Sequence, residues 1–248
     1  MIIIMRTMIR GLWRDSHTLI WNILFPLGML VGLGLYFRDP LYSERLLAGA
    51  LAINLLFGAT TATAFYVIAQ RHRGVYKLLR ATPLPTLSFV TAMTGARLVL
   101  TMAISVVLVG IGIGLFGVAA GPLRAGWMLV VLTIGSAGFT ALGFLLANLA
   151  RDETQVSIFS NLVSLPLILT SGAFYSLEQA PGWVQTMSQL QPFHYLVEAL
   201  RVSIASDTIL ADLWLPLGVL TAFAVLCALL AALTFRWDPE GRLFRLRG

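Results

Sequence analysis

Apolar residues run along this chain in long blocks separated by short polar breaks. A helix that crosses the hydrocarbon of a bilayer needs about 20 mostly apolar residues. Six blocks qualify: residues 19–37, 46–69, 98–117, 125–150, 154–174 and 213–235. The pattern predicts an all-α integral membrane protein with a single transmembrane domain over residues 1–248. Upstream of the first block, Arg6, Arg10, Arg14 and His17 project within about 80° of one another at about 100° per residue. Met5, Met8, Ile9, Leu12 and Trp13 fall on the other side. Residues 1–18 therefore read as an amphipathic helix lying in the interface. A cleaved signal peptide is not expected, because the apolar run from Leu19 exceeds an h-region of about 7–15 residues and lacks a cleavage site. Between the fifth and sixth blocks, residues 175–212 hold apolar stretches too short to cross, with Pro181 and Pro192 at plausible helix starts. They predict a re-entrant hairpin of two short helices dipping into the outer leaflet, where backbone must be helical or buried.

Composition narrows the class. Hydrophobic residues make up 58% of the 248 and charged residues 11%, against roughly 25% charged in a soluble domain. Soluble enzymes, disordered chains and disulfide scaffolds are excluded, since a soluble fold keeps a charged exterior. The net charge of +6 does not indicate nucleic acid, whose binders carry a basic stripe on a soluble face; here the cations lie between apolar runs. With both termini cytoplasmic, the outer side holds just Arg38, Arg45, Arg124 and Arg201 among the 17 basic residues. The positive-inside rule selects that orientation. Cys227 is the single cysteine, so neither an internal disulfide nor a cysteine metal site is possible.

The missing chemistry is equally informative. Carriers driven by an ion gradient usually place ionisable groups near the bilayer midplane; these blocks hold none at their centres, Arg97 at the edge of the third being the nearest. His17 and His72 fall on the inner side and His194 on the outer, so the three make no metal site. His194 and Glu198 share a helix face at i, i+4, as a catalytic pair or as a satisfied polar edge. No G-x-S-x-G or H-E-x-x-H motif occurs. A P-loop needs a lysine within G-x-x-x-x-G-K-[ST], and Lys77, the only lysine, lies between Tyr76 and Leu78. The chain is expected to carry no catalytic residue, metal or cofactor; ATP and magnesium, if used, sit on another polypeptide.

The inner loop at 71–86 is more than a basic marker. Residues 75–81 form a short amphipathic piece bounded by Gly74 and Pro83, with Leu78 and Leu79 exposed in a basic loop. A short helix stopped by proline suits docking into a partner's groove. Gly74, Leu78, Leu79, Thr82 and Pro83 resemble the pattern E-R-E-x-G-T-x-x-x-L-x-x-T-P of type-2 ABC transporter permeases. The chain departs from it at Gln70 and Val75, where the family has glutamate and threonine. A second block resembles that family's C-terminal signature: Ser171-Gly172-Ala173-Phe174, then Pro181-Gly182-Trp183, then Pro192-Phe193-His194-Tyr195 and Glu198-Ala199-Leu200-Arg201.

The resemblance implies a half-transporter: a dimer of six-span permeases, each docked on a cytoplasmic ABC ATPase subunit. It implies that Gln70, Gly74, Val75, Tyr76, Leu78, Leu79, Thr82 and Pro83 meet the ATPase. It implies an outer gate at Gly172, Phe174, Pro181, Trp183, Pro192, Tyr195, Glu198 and Arg201. The path would run along the dimer interface, with a second, identical copy as partner and lipid around it. Gly28-x-x-x-Gly32 and Gly110-x-x-x-Gly114 allow close helix approach, within one subunit or between two. Asn54 and Thr61, on one face of the second block at α-helical spacing, are the residues expected to line the path. The expected function is an exporter of a hydrophobic or amphipathic solute, drug or lipid-like, in a bacterial inner membrane. A lipid-linked glycan is the alternative cargo. From another class, a membrane enzyme or assembly factor could use Glu178, His194, Glu198 and Arg201.

Overall fold

A computed structural model describes residues 16–37, 40–74, 86–117, 121–205 and 208–234. Residues 1–15 of the expected interfacial helix, and Val75, Tyr76, Leu78, Leu79, Thr82 and Pro83 of the expected coupling loop, lie outside these. Among the described residues all regular structure is helical. Helix α1 is Ser16–Phe37, and α2 is a continuous rod of Pro40–Leu55, a π-helical turn at Leu56–Thr61, and Ala62–His72. Then come α3 (Thr86–Phe116), α4 (Pro122–Leu149), α5 (Glu153–Thr170), α6 (Gly182–Gln189), α7 (Pro192–Ile204) and α8 (Trp214–Thr234), with 3₁₀ turns at Leu177–Gln179 and Leu210–Leu213.

Among the described residues, four helical stretches are long and apolar enough to cross a bilayer: Tyr42–His72, Thr94–Phe116, Pro122–Leu149 and Leu210–Thr234. The chain is an integral membrane protein. The fifth apolar block, expected to run to 174, ends as a helix at Thr170. Its 18 residues rise about 27 Å at about 1.5 Å each, slightly under the roughly 30 Å of hydrocarbon. The stop is set by Gly172, whose φ of 75° is left-handed; a Cβ there would also meet Leu177 Cγ at 2.7 Å. In α3 the helix starts at Thr86, well before the apolar stretch at 98. A helix satisfies its backbone internally, so it need not end where its side chains become polar.

Helix α2 is the spine, its Leu46, Leu47, Leu51, Ile53, Leu55 and Leu56 all fully buried. Phe139 of α4 closes the core, with its ring 6.0 Å from Phe193 of α7 and 5.3 Å from Phe223 of α8. A close backbone approach lies at the π turn. A Cβ on Gly143 of α4 would lie 2.5 Å from the Thr60 carbonyl oxygen and 3.0 Å from Thr63 Cβ. Beside it, Thr60 Oγ1 donates to the Phe139 carbonyl at 3.0 Å. The π turn carries about one extra residue, which rotates everything beyond it by about 100°. The shared face expected for Asn54 and Thr61 is therefore not kept.

Candidate functional site

Among the described residues, most of those singled out by sequence lie at the two ends of the bundle. At one end α2 runs out through Gln70, Arg71 and His72, and Gly74 stops it with φ at 71° and its N–H donating to the Arg71 carbonyl at 3.1 Å. That is a left-handed C-terminal stop, which glycine adopts without steric cost. It fixes where α2 ends. Arg71 turns back onto α4: Nη1 donates to the carbonyls of Ala147 (3.2 Å) and Ala150 (3.3 Å). Asp152 then caps α5, its carboxylate accepting from Gln155 N–H at 2.8 Å.

The opposite end is organised by residues 171–213. Tyr42 O–H donates to the Phe174 carbonyl at 3.1 Å, tying the start of α2 to the turn after α5. Ser171 holds that turn, accepting from Ala173 N–H at 3.2 Å. The Tyr175 phenol donates to the Leu169 carbonyl, and desolvation by burial raises its pKa. Pro181 is the N-cap of α6 and Pro192 opens α7, so each proline sits where its missing N–H costs nothing. Trp183 is exposed on α6, and Tyr195 O–H donates to the Gln189 carbonyl at 3.0 Å. Helix α7 is buried on most of its circumference, from Phe193 through Ile204.

His194 Nδ1 lies 3.1 Å from the Ser171 carbonyl, which can only accept, so that nitrogen carries the proton. Both Glu198 oxygens take Arg201, at 3.1 Å from Nε and 2.7 Å from Nη2. The two members of the possible catalytic pair thus face different partners. Among the described residues no three His, Cys, Asp or Glu side chains gather as metal ligands.

Arg124, at first an outer-loop charge, proves structural. Its guanidinium donates from Nη1 to the carbonyls of Val202 (2.7 Å) and Ala205 and to Thr208 Oγ1 (3.1 Å), and from Nη2 to the Thr208 carbonyl (2.7 Å). It neutralises the orphan carbonyls at the C-terminus of α7. Removing it takes this donor from the Thr208 carbonyl and leaves the Val202 and Ala205 carbonyls to share the single Thr208 hydroxyl proton. Arg124→Ala is expected to cost about 2 kcal/mol, lowering the thermal midpoint in detergent; an unchanged midpoint would dismiss this role. Arg201→Ala should change stability by less than about 1 kcal/mol, because both partners are about one-third exposed at 35%. A midpoint drop as large as that of Arg124→Ala would contradict the difference.

Asn54 is buried and its amide donates to Ser105 Oγ (3.3 Å) and the Thr101 carbonyl (3.4 Å), both on α3. Its Oδ1 has no hydrogen-bond partner, nor does the buried Oγ1 of Thr61. Sequence reasoning overlooked Arg71, Arg124 and Asn148 as clamps. An arginine at a loop edge has the same local signature whether it is solvated or folded back onto a helix terminus.

These features define a helical membrane subunit with a capped basic end and a densely bonded opposite end. The model of the ABC-2 type transporter family matches residues 1–205, and the chain belongs to that family. It is 26% identical over 187 residues to the probable multidrug ABC transporter permease YbhR of Escherichia coli (strain K12), covering 73% of this chain and 50% of YbhR. It is 23% identical over 190 residues to the putative transport permease YvfS of Bacillus subtilis (strain 168), covering 73% of this chain and 76% of YvfS. The inner membrane transport permease YadH of Escherichia coli (strain K12) is 26% identical over 165 residues, with 64% and 62% covered. The chain thus spans about half the length of YbhR.

Proposed function

We propose that this chain is the permease subunit of an ATP-driven exporter in a bacterial inner membrane, with six spans, both termini cytoplasmic, and a re-entrant hairpin at α6–α7. The observation that carries the reading is the family match over residues 1–205. ATP and magnesium act on a separate ATPase subunit, which engages Gln70, Gly74, Val75, Tyr76, Leu78, Leu79, Thr82 and Pro83 but not Arg71, which is turned back onto α4. Two copies form the path, supported by glycines whose faces are open: a Cβ on Gly28, Gly32, Gly110 or Gly114 would meet nothing within 4 Å. Small residues at such positions let a neighbouring helix approach closely. The outer gate is the bonded turn at Gly172 and Phe174 with α6 and α7, including Pro181, Trp183, Pro192, Tyr195, Glu198 and Arg201. Thr61 is better placed than Asn54 to face the path, because Asn54 is committed to α3. The cargo is hydrophobic or amphipathic, in keeping with the name multidrug permease given to YbhR and with the many exposed leucines of α8.

The test is purification of the tagged chain from bacterial membranes with the ATPase encoded beside it, followed by a screen for drug-like and lipid-like compounds that stimulate ATP hydrolysis. Stoichiometric co-purification and stimulation are expected. Turnover by the isolated chain would overturn the proposal.

A further inference from the structure

We infer that Arg71 and Asn148 form a clamp between three helices, and that Arg71 is a positioning residue carrying motion of the coupling loop into α4 and α8. The inference rests on the coupling reading above. Arg71 sits in the last turn of α2, just before Gly74 releases the chain into the loop. Its Nη1 reaches the Ala147 and Ala150 carbonyls at 3.2 and 3.3 Å, and its Nη2 reaches Asn148 Oδ1 at 3.5 Å. Asn148 passes the connection on: Nδ2 donates to the Ala231 carbonyl at 3.0 Å and to Thr234 Oγ1 at 3.2 Å, both in the last turn of α8. His72 Nε2, one residue beyond Arg71, lies 3.4 Å from the Arg151 carbonyl.

The bonded carbonyls of α4 are among those a helix end leaves without an intrahelical partner. A guanidinium there satisfies two of them and opposes the negative end of the helix dipole. Directly behind, Ala64, Val67, Ile68, Ala147, Ala150, Val156 and Ala231 make a buried apolar layer. Packed layers of this kind are close to incompressible, so the end of α2 cannot shift without carrying α4 and α8 with it. A residue that merely marks the basic side of the membrane needs only a positive charge. This one uses a planar fork, which lysine cannot reproduce.

The experiment uses the permease–ATPase complex in lipid nanodiscs, with a fluorophore on Leu190→Cys in a Cys227→Ser background. Leu190 is 77% exposed at the far end of the bundle. The readout is the emission change on adding ATP and vanadate. Arg71→Lys is expected to keep co-purification and to hold basal ATP hydrolysis within about twofold of wild type, while the response at position 190 falls at least about fivefold. Arg71→Lys with a full response overturns the inference. If that variant fails to accumulate, Asn148→Asp decides. It keeps an acceptor for Arg71 but cannot donate to Ala231 and Thr234, so the same loss is expected, and a full response again overturns the clamp. Failure of the wild-type chain to retain the ATPase brings down the coupling reading itself, and shows without any substitution.

Discussion

Leu78→Asp is expected to abolish co-purification of the ATPase while leaving membrane insertion intact. Leu78 lies in the amphipathic piece between Gly74 and Pro83, and an apolar residue held in a basic loop is there to be covered. Burying an ionised carboxylate without a partner in the covering groove costs several kcal/mol. About 4 kcal/mol is roughly a thousandfold in affinity. The measurement is pull-down at matched expression, with Tyr76→Phe as a conservative control. Undiminished recovery of the ATPase with Leu78→Asp would remove this loop from the docking surface.

The second large effect is predicted for the contact between α2 and α4. In Gly143→Ala the new methyl carbon would stand 2.5 Å from the Thr60 carbonyl oxygen and 3.2 Å from that of Ala59. Both opposing atoms are backbone, so no side chain can swing away and the helices must separate. Overpacking of this kind costs about 1–3 kcal/mol, and the upper end is expected here because separation also strains the Thr60–Phe139 hydrogen bond. Gly126→Ala, on the same helix with nothing within 4 Å, should be neutral or slightly stabilising, since alanine is the better helix former by about 1 kcal/mol. Thermal midpoints of the two variants in detergent make the comparison. Equal midpoints would mean that α4 does not approach α2 this closely.

The two predictions draw on different levels of the molecule. The docking proposed for Leu78 is read from the order of residues along the chain. The Gly143 contact follows from two helices meeting across some eighty positions of sequence, which no local pattern announces. Glycine within an apolar block reads the same whether it is crowded, as at Gly143, or open, as at Gly110. The π turn was illegible for a related reason. Leu56–Thr61 is composed like its surroundings, while α3, α4 and α5 all pack against it. That turn is why Asn54 and Thr61 do not keep the common face that α-helical spacing would give them.

Apolar blocks of spanning length and cations restricted to their edges were enough to define a helical membrane protein, and the motif resemblance at 70–83 and 171–201 pointed to the ABC-2 type that the family match shows. Those features are set by transfer free energy and backbone sterics, which act residue by residue. Which arginines clamp a helix end, how far α5 extends, and which faces of the glycine-bearing helices are covered were decided in three dimensions. Each depends on the unsatisfied carbonyls or close approach of a helix distant in sequence, and such partners exist only once the chain has folded.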